Sequence, residues 1–365
     1  MFDFRQRESL DAIAPYHTGK PLEIIRQETG VDVAIRLSAN ENFLGPSPKA
    51  LEALKCTLND VYLYPNGDCY YLREKLAGKL NVKTDMLVFG NGTDELIRMI
   101  AETFITPGDE VIVADPTFPI YDRSVLMMGG VVKKVAVDAN FRHDLDAMLK
   151  AVNSKTKIIF LCSPNNPTGT IITSGEMEKF FNSIKPGILV VIDEAYYEYV
   201  EEKGYFDALD YLEITNPVVI LRTFSKMYGL AGLRIGYGIT SEHLAGSLER
   251  VRDVFNVNCL AQTAASAAIE DGEHVGRVLD LMRRLKVQMT TGLQTLGLSW
   301  VPSHTNFLFI NLGVDSREIS GELLSRGMII TPGAVYGFPN YARVTLATEE
   351  YTERFLKALA EILGK

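Results

Sequence analysis

The chain has 365 residues, 47% of them hydrophobic and 23% charged, a composition that excludes a disordered or fibrous protein and allows a large core in two domains. Its 37 Lys and Arg against 46 Asp and Glu leave a formal charge of −9, so it lacks the diffuse positive field of a nucleic-acid binder. No apolar run is long enough for a membrane span, residues 1–11 mix charges and lack the apolar core of a signal peptide, and a soluble, cytoplasmic protein is expected.

Residues 1–38 are too few for a domain and are expected to form an arm that packs on a small domain or on a partner subunit. From residue 39 to 273 the expectation is one large domain. Its β-rich runs are 86–89, 111–114, 130–132, 158–162, 188–192, 218–221 and 235–238. Several of these runs are apolar without alternation, which suits central strands covered on both faces. Amphipathic segments such as 95–104 and 176–184 lie between them, so the spacing predicts an α/β fold with a mostly parallel sheet flanked by helices. Residues 241–296 read as helices. The stretch 274–365 then predicts a smaller α+β domain, with strands at 306–310 and 342–346, a helix at 319–326 and a closing helix at 349–363. The four cysteines form no CxxC pair and no zinc-ligand spacing, and the five histidines show none either, so no metal is expected and the thiols are expected to be buried and reduced.

Ligands of open α/β sheets bind beyond the carboxyl ends of the strands. Four such ends carry polar residues. Gly90-Asn91-Gly92-Thr93-Asp94 opens a helix whose free N–H groups suit an anion, although an ordinary capped glycine turn reads the same way. Ser163 to Gly169 is a rigid turn that presents Asn166, a neutral donor. Asp193 and Tyr196 follow an apolar run, where a carboxylate needs either a salt-bridge partner or the cationic ring nitrogen of a cofactor. Thr223, Ser225 and Lys226 follow another run, with Arg234 shortly after. Each signal is ordinary alone. Together they supply what pyridoxal 5'-phosphate requires: a lysine for the covalent link, a carboxylate for the ring nitrogen, donors for the 3-oxygen, and an anion cradle for the phosphate.

With these residues in view, the sequence resembles the class I, fold-type I pyridoxal-phosphate aminotransferases over nearly its whole length, and within them the histidinol-phosphate aminotransferases. The resemblance rests on 14–16, 37–48, Tyr64-Pro65, 90–95, 116–118, 163–169, 193–196 and 222–236, with Ser225, Lys226 and Arg234 in a specific spacing. It implies the following roles. Lys226 would link to the cofactor and then move the proton at the substrate Cα. Asp193 would hold the ring nitrogen protonated, Asn166 and Tyr196 would bond the 3-oxygen, and Phe118 would stack on the ring. Thr93, Asp94, Thr223, Ser225 and Arg234 would hold the phosphate. Tyr64 would reach the cofactor phosphate of a neighbouring subunit, making a homodimer with shared sites. Arg343 would bind the acidic group of the substrate, with Tyr16 and Asn40 as further substrate contacts. The implied substrates are histidinol phosphate and 2-oxoglutarate, the latter leaving as glutamate, in histidine biosynthesis.

Two positions depart from the family pattern. Thr331 stands where members often carry an arginine for the substrate phosphate, and Ala347 stands where glycine is usual. Either Arg343 holds the phosphate with other donors, or the substrate carries no phosphate. An aromatic amino acid aminotransferase is therefore an alternative reading, and a threonine-phosphate decarboxylase a more distant one. A dinucleotide-binding oxidoreductase is disfavoured because no GxGxxG follows a strand.

Overall fold

A computed structural model of the chain describes residues 5–15 and 19–365. In chain order its strands are β1 (Ile35–Arg36), β2 (Leu87–Gly90), β3 (Glu110–Asp115), β4 (Val131–Ala136), β5 (Thr156–Cys162), β6 (Leu189–Asp193), β7 (Val218–Thr223), β8 (Gly236–Thr240), β9 (Ser299–Val301), β10 (Phe307–Asn311), β11 (Met328–Ile329), β12 (Thr331–Pro332) and β13 (Tyr341–Thr345). The larger sheet has the order β2-β8-β7-β6-β5-β3-β4. Strands β3 to β7 run parallel, and β8 is antiparallel to both its neighbours, β2 and β7.

The unbroken apolar runs have a direct cause. Successive side chains on a strand point to opposite faces. Ile159, Leu161, Val190, Ile192 and Ile220 enter one core cluster, whereas Ile158, Phe160, Val191, Val219 and Leu221 enter the other. Both faces are dry, so no polar alternation survives. The edge strand β4 is different: it carries Lys133 and Lys134, which pair with Glu110 and Asp122 and discourage pairing with another chain.

The smaller sheet, β12-β13-β10-β9, is antiparallel throughout. The closing helix Glu349–Leu363 starts where Thr348 accepts from the Tyr351 N–H, and it stops at Gly364 in the left-handed region. Its buried residues Thr352, Phe355, Ala358 and Leu359 form one stripe at helical spacing. Before the larger sheet, β1 pairs in parallel with β11, Ile35 opposite Met328. The Thr345 N–H donates to Leu37 O at 2.8 Å and the Asn40 N–H to Thr345 Oγ1 at 3.0 Å, which lays residues 37–40 along β13.

The helices Leu22–Thr29, Pro48–Thr57 and Tyr70–Leu80 had no counterpart in the sequence reading. Pro48 sits in the first turn behind a Ser47 cap, a start signal that was available. The cysteines also need correction, because only Cys69 and Cys162 are buried. Cys56 is exposed and Cys259 partly so, since both lie on helices with a solvent face. Among the described residues no helix is long and apolar enough to cross a membrane.

Candidate active site

The register pairs Cys162 with Asp193 and Asp193 with Leu221, so β5, β6 and β7 end side by side. A cavity of about 390 Å³ opens beyond these ends. It is lined by Asn40, Thr93, Asp94, Phe118, Asn166, Asp193, Tyr196, Thr223, Ser225, Lys226, Arg234 and Arg343. Of the remaining expected site residues, Tyr16 lies outside the described residues. Tyr64 is 82% exposed and stacks on Phe255 with ring centroids 4.7 Å apart, away from the cavity.

One end of the cavity is built for an anion. The helix Thr93–Phe104 begins there with no side chain capping its first turn, so its leading N–H groups remain free. Arg234, itself in the left-handed region, lies against this turn and donates from Nη2 to Asp94 Oδ2 at 3.1 Å and from Nη1 to Ser225 Oγ at 3.5 Å. Gly92 makes this approach feasible: a Cβ there would lie 2.6 Å from Arg234 Nη2, and its φ of +83° also favours glycine. The Ser225 N–H donates to Thr223 Oγ1 at 3.1 Å, fixing the turn that carries the hydroxyls.

Lys226 comes next along the chain. Its Nζ donates to Ala39 O at 3.1 Å and lies 5.7 Å from the Tyr196 ring centroid. Desolvation, with Arg343 and Arg234 adding to it, holds the amine down to about 8. A lysine so placed carries a usable fraction of free amine near neutral pH.

Asp193 is 2% exposed, and burial pushes its carboxyl up to about 6. The Tyr121 hydroxyl donates to Oδ2 at 2.6 Å and the Ala195 N–H to Oδ1 at 3.1 Å, both opposing that rise. Tyr121 is fully buried and stacks on Phe160, centroids 4.5 Å apart. The adjacent carboxylate behaves differently. Strand alternation turns Glu194 to the other face, where Arg222 Nε donates to its Oε2 at 2.8 Å in a buried ion pair. Thus one carboxylate of the Asp-Glu pair has a structural cation, and the other faces the cavity with only neutral donors among the described residues.

Tyr196 receives a hydrogen bond from Asn40 Nδ2 at 2.9 Å, and burial raises its hydroxyl above the ordinary value. Asn40, with φ +56°, is anchored by Thr345, whose Oγ1 donates to Asn40 Oδ1 at 3.1 Å. Asn166 accepts from Arg343 Nη1 at 2.5 Å through Oδ1, leaving its amide nitrogen as a donor toward the cavity. Arg343 is 7% exposed, and among the described residues it has no carboxylate partner and its Nε no acceptor. Among the described residues no group of three His, Cys, Asp or Glu is placed to hold a metal ion.

The sequence reading missed Tyr121 and the Arg222–Glu194 pair. Tyr121 had a faint signal, since it falls three residues after Phe118, and the two rings meet edge to face at 5.7 Å. Nothing local linked it to Asp193.

The family model described as aminotransferase class I and II matches residues 32–359. A histidinol-phosphate aminotransferase of Moorella thermoacetica is 47% identical, aligned over 98% of this chain and 93% of its own. One from Caldicellulosiruptor saccharolyticus is 42% identical over 98% and 99%. Among solved structures, histidinol-phosphate aminotransferase from Sinorhizobium meliloti in complex with pyridoxal 5'-phosphate superposes with a TM-score of 0.90 at 27% identity, covering 98% of both chains.

Proposed function

The chain belongs to the aminotransferase class I and II family, and from that premise we propose that it transfers the amine of L-histidinol phosphate to 2-oxoglutarate, giving imidazole acetol phosphate and L-glutamate. The observation that carries this reading is the cavity that places an amine of lowered basicity, a buried carboxylate with only neutral donors and an anion cradle together at one sheet edge.

These residues fit pyridoxal 5'-phosphate. Lys226 would hold it covalently, the helix start at Thr93 with Ser225, Thr223 and Arg234 would hold its phosphate, and Phe118 would cover one ring face. Asn166 and Tyr196 would donate to its 3-oxygen, and Asp193 would face its ring nitrogen. When bound, the cofactor supplies a carbonyl carbon that accepts amines and a ring that draws electrons from the substrate Cα. Asp193 would favour a protonated ring nitrogen, because its buried carboxylate meets only the neutral donors Tyr121 and Ala195 N–H and an adjacent cation would offset its desolvation. Lys226 Nζ, when not holding the cofactor, would move the proton between the substrate Cα and the cofactor's acceptor carbon. Arg343 orients the substrate by its acidic group. The reaction would run in two halves, the first taking the amine from histidinol phosphate and the second giving it to 2-oxoglutarate.

Val61, Tyr62, Leu63, Tyr64, Tyr71 and Val254 are exposed apolar or aromatic side chains. In our reading a second copy covers them, and Tyr64 reaches the cofactor phosphate held by that copy.

Mixing the cofactor-loaded enzyme separately with histidinol phosphate, phenylalanine, tyrosine and threonine phosphate tests the substrate. The first half-reaction is followed by the absorbance of the cofactor. Histidinol phosphate is expected to react fastest. A clear preference for phenylalanine would overturn the substrate and leave the reaction class standing.

A further inference from the structure

Arg343 has five N–H donors, four of which meet acceptors among the described residues. Nη1 donates to Asn166 Oδ1 at 2.5 Å and to Tyr336 Oη at 3.0 Å. Nη2 donates to Ser38 O and, at 3.1 Å, to Thr331 Oγ1. Nε has no acceptor. Among the described residues this buried cation thus meets four neutral oxygens and no anion, a state in which a charged ligand gains from binding.

The four acceptors are not equivalent. Ser38 O and Asn166 Oδ1 can only accept, so they can hold the guanidinium but cannot greet an anion. Tyr336 and Thr331 are hydroxyls, and a hydroxyl that accepts can also donate. Thr331 Oγ1 donates to Ser38 O at 3.3 Å, a long bond that rotation of the side chain would release. The Tyr336 hydroxyl has no acceptor among the described residues.

The fold holds both hydroxyls where they meet a ligand of Arg343. Thr331 lies directly opposite Arg343 across β12 and β13, so the two side chains share one face of the sheet. Phe309 lies opposite Arg343 on the other side, and the Tyr336 ring packs edge-on against Phe309 at 6.4 Å. Tyr336 ends a tight turn that begins at Gly333, where a Cβ would lie 2.4 Å from Tyr341 O. The Phe338 N–H closes the turn on Gly333 O at 3.0 Å.

We infer that Tyr336 and Thr331 are specificity-determining residues that complete the acid-group site of Arg343, turning their hydroxyls from acceptors of the guanidinium to donors for a three-oxygen anion, a phosphate monoester. This rests on the reading that Arg343 receives the acidic group of the substrate. A carboxylate has two oxygens and is satisfied by the two-pronged guanidinium. A phosphate has three terminal oxygens, and the third needs a further donor. The hydroxyl pair supplies it without a second cation.

The test compares two substrates of the cofactor-loaded enzyme. Tyr336→Phe is expected to raise KM for histidinol phosphate about tenfold, with kcat nearly kept, because the lost contact serves binding of the ground state and transition state alike. KM for glutamate in the reverse direction should change by less than about threefold. Thr331→Val should act in the same direction, and Thr331→Ser, which keeps the hydroxyl, should retain wild-type KM. Equal changes for both substrates, a fall in kcat with KM unchanged, or no change at all would overturn the inference. If instead the wild-type enzyme fails to react with histidinol phosphate, the substrate reading fails, an outcome visible before any variant is made.

Discussion

Replacing Tyr121 by Phe removes one oxygen from a dry place and leaves the ring. Tyr121 is fully buried against Phe160, so the substitution conserves packing and opens almost no cavity. What it removes is the 2.6 Å donor to Asp193 Oδ2. In the cofactor-free protein the Asp193 carboxyl stands at about 6 against an ordinary 3.8. The folded state therefore binds its proton more tightly than the unfolded chain does. Between those two values the folded protein holds more protons, so stability falls as pH rises through the window, by about 3 kcal/mol in all. A hydrogen bond to a charged group is worth about 1.5–3 kcal/mol, so its loss should move the Asp193 titration from about 6 to about 7 or 8. The variant and wild type should thus differ little at pH ~5, where the carboxyl is neutral in both, and by about 1.5–3 kcal/mol more at pH ~8.5. Urea unfolding of both cofactor-free proteins across this range measures the difference. A gap of the same size at both ends would refute the argument, because the bond would then be insensitive to the charge on Asp193.

Three further outcomes follow from the geometry. The rate at which cofactor-free protein captures pyridoxal 5'-phosphate should climb as pH rises through about 8, where Lys226 loses its proton, and Lys226→Arg should abolish capture as a covalent adduct; a flat profile would remove the amine from that step. Gly92→Ala should weaken cofactor binding at least about tenfold, because its Cβ would meet Arg234 Nη2 at 2.6 Å and the guanidinium must leave the anion cradle; equilibrium dialysis reads this, and unchanged affinity would show that Arg234 is dispensable there. Mixing inactive Lys226→Ala and Tyr64→Phe subunits should restore activity, up to about a quarter of the wild-type sites at random pairing. No restoration on mixing would argue against a site shared between subunits.

By itself the sequence determined what depends on neighbours along the chain. Buried strands such as 158–162 and 188–192 showed as apolar runs because both their faces are dry, and the closing helix at 349–363 forms where it was expected. The residues that follow strand ends were legible because a parallel sheet sends all those ends to one edge, so Asp193, Asn166, Ser225 and Lys226 could be grouped before any coordinates. Tertiary structure alone decided which of two adjacent carboxylates has a cation: Glu194 meets Arg222, while Asp193 meets the phenol of Tyr121, 72 residues away. It also decided the surroundings of Arg343, whose acceptors come from Ser38, Asn166, Thr331 and Tyr336. These pairings span 305 residues for Ser38 and 177 for Asn166, and no local propensity encodes them. The pleat of each strand sets which face a side chain takes, but the partner on that face comes from sheet order and register, which the whole chain settles together.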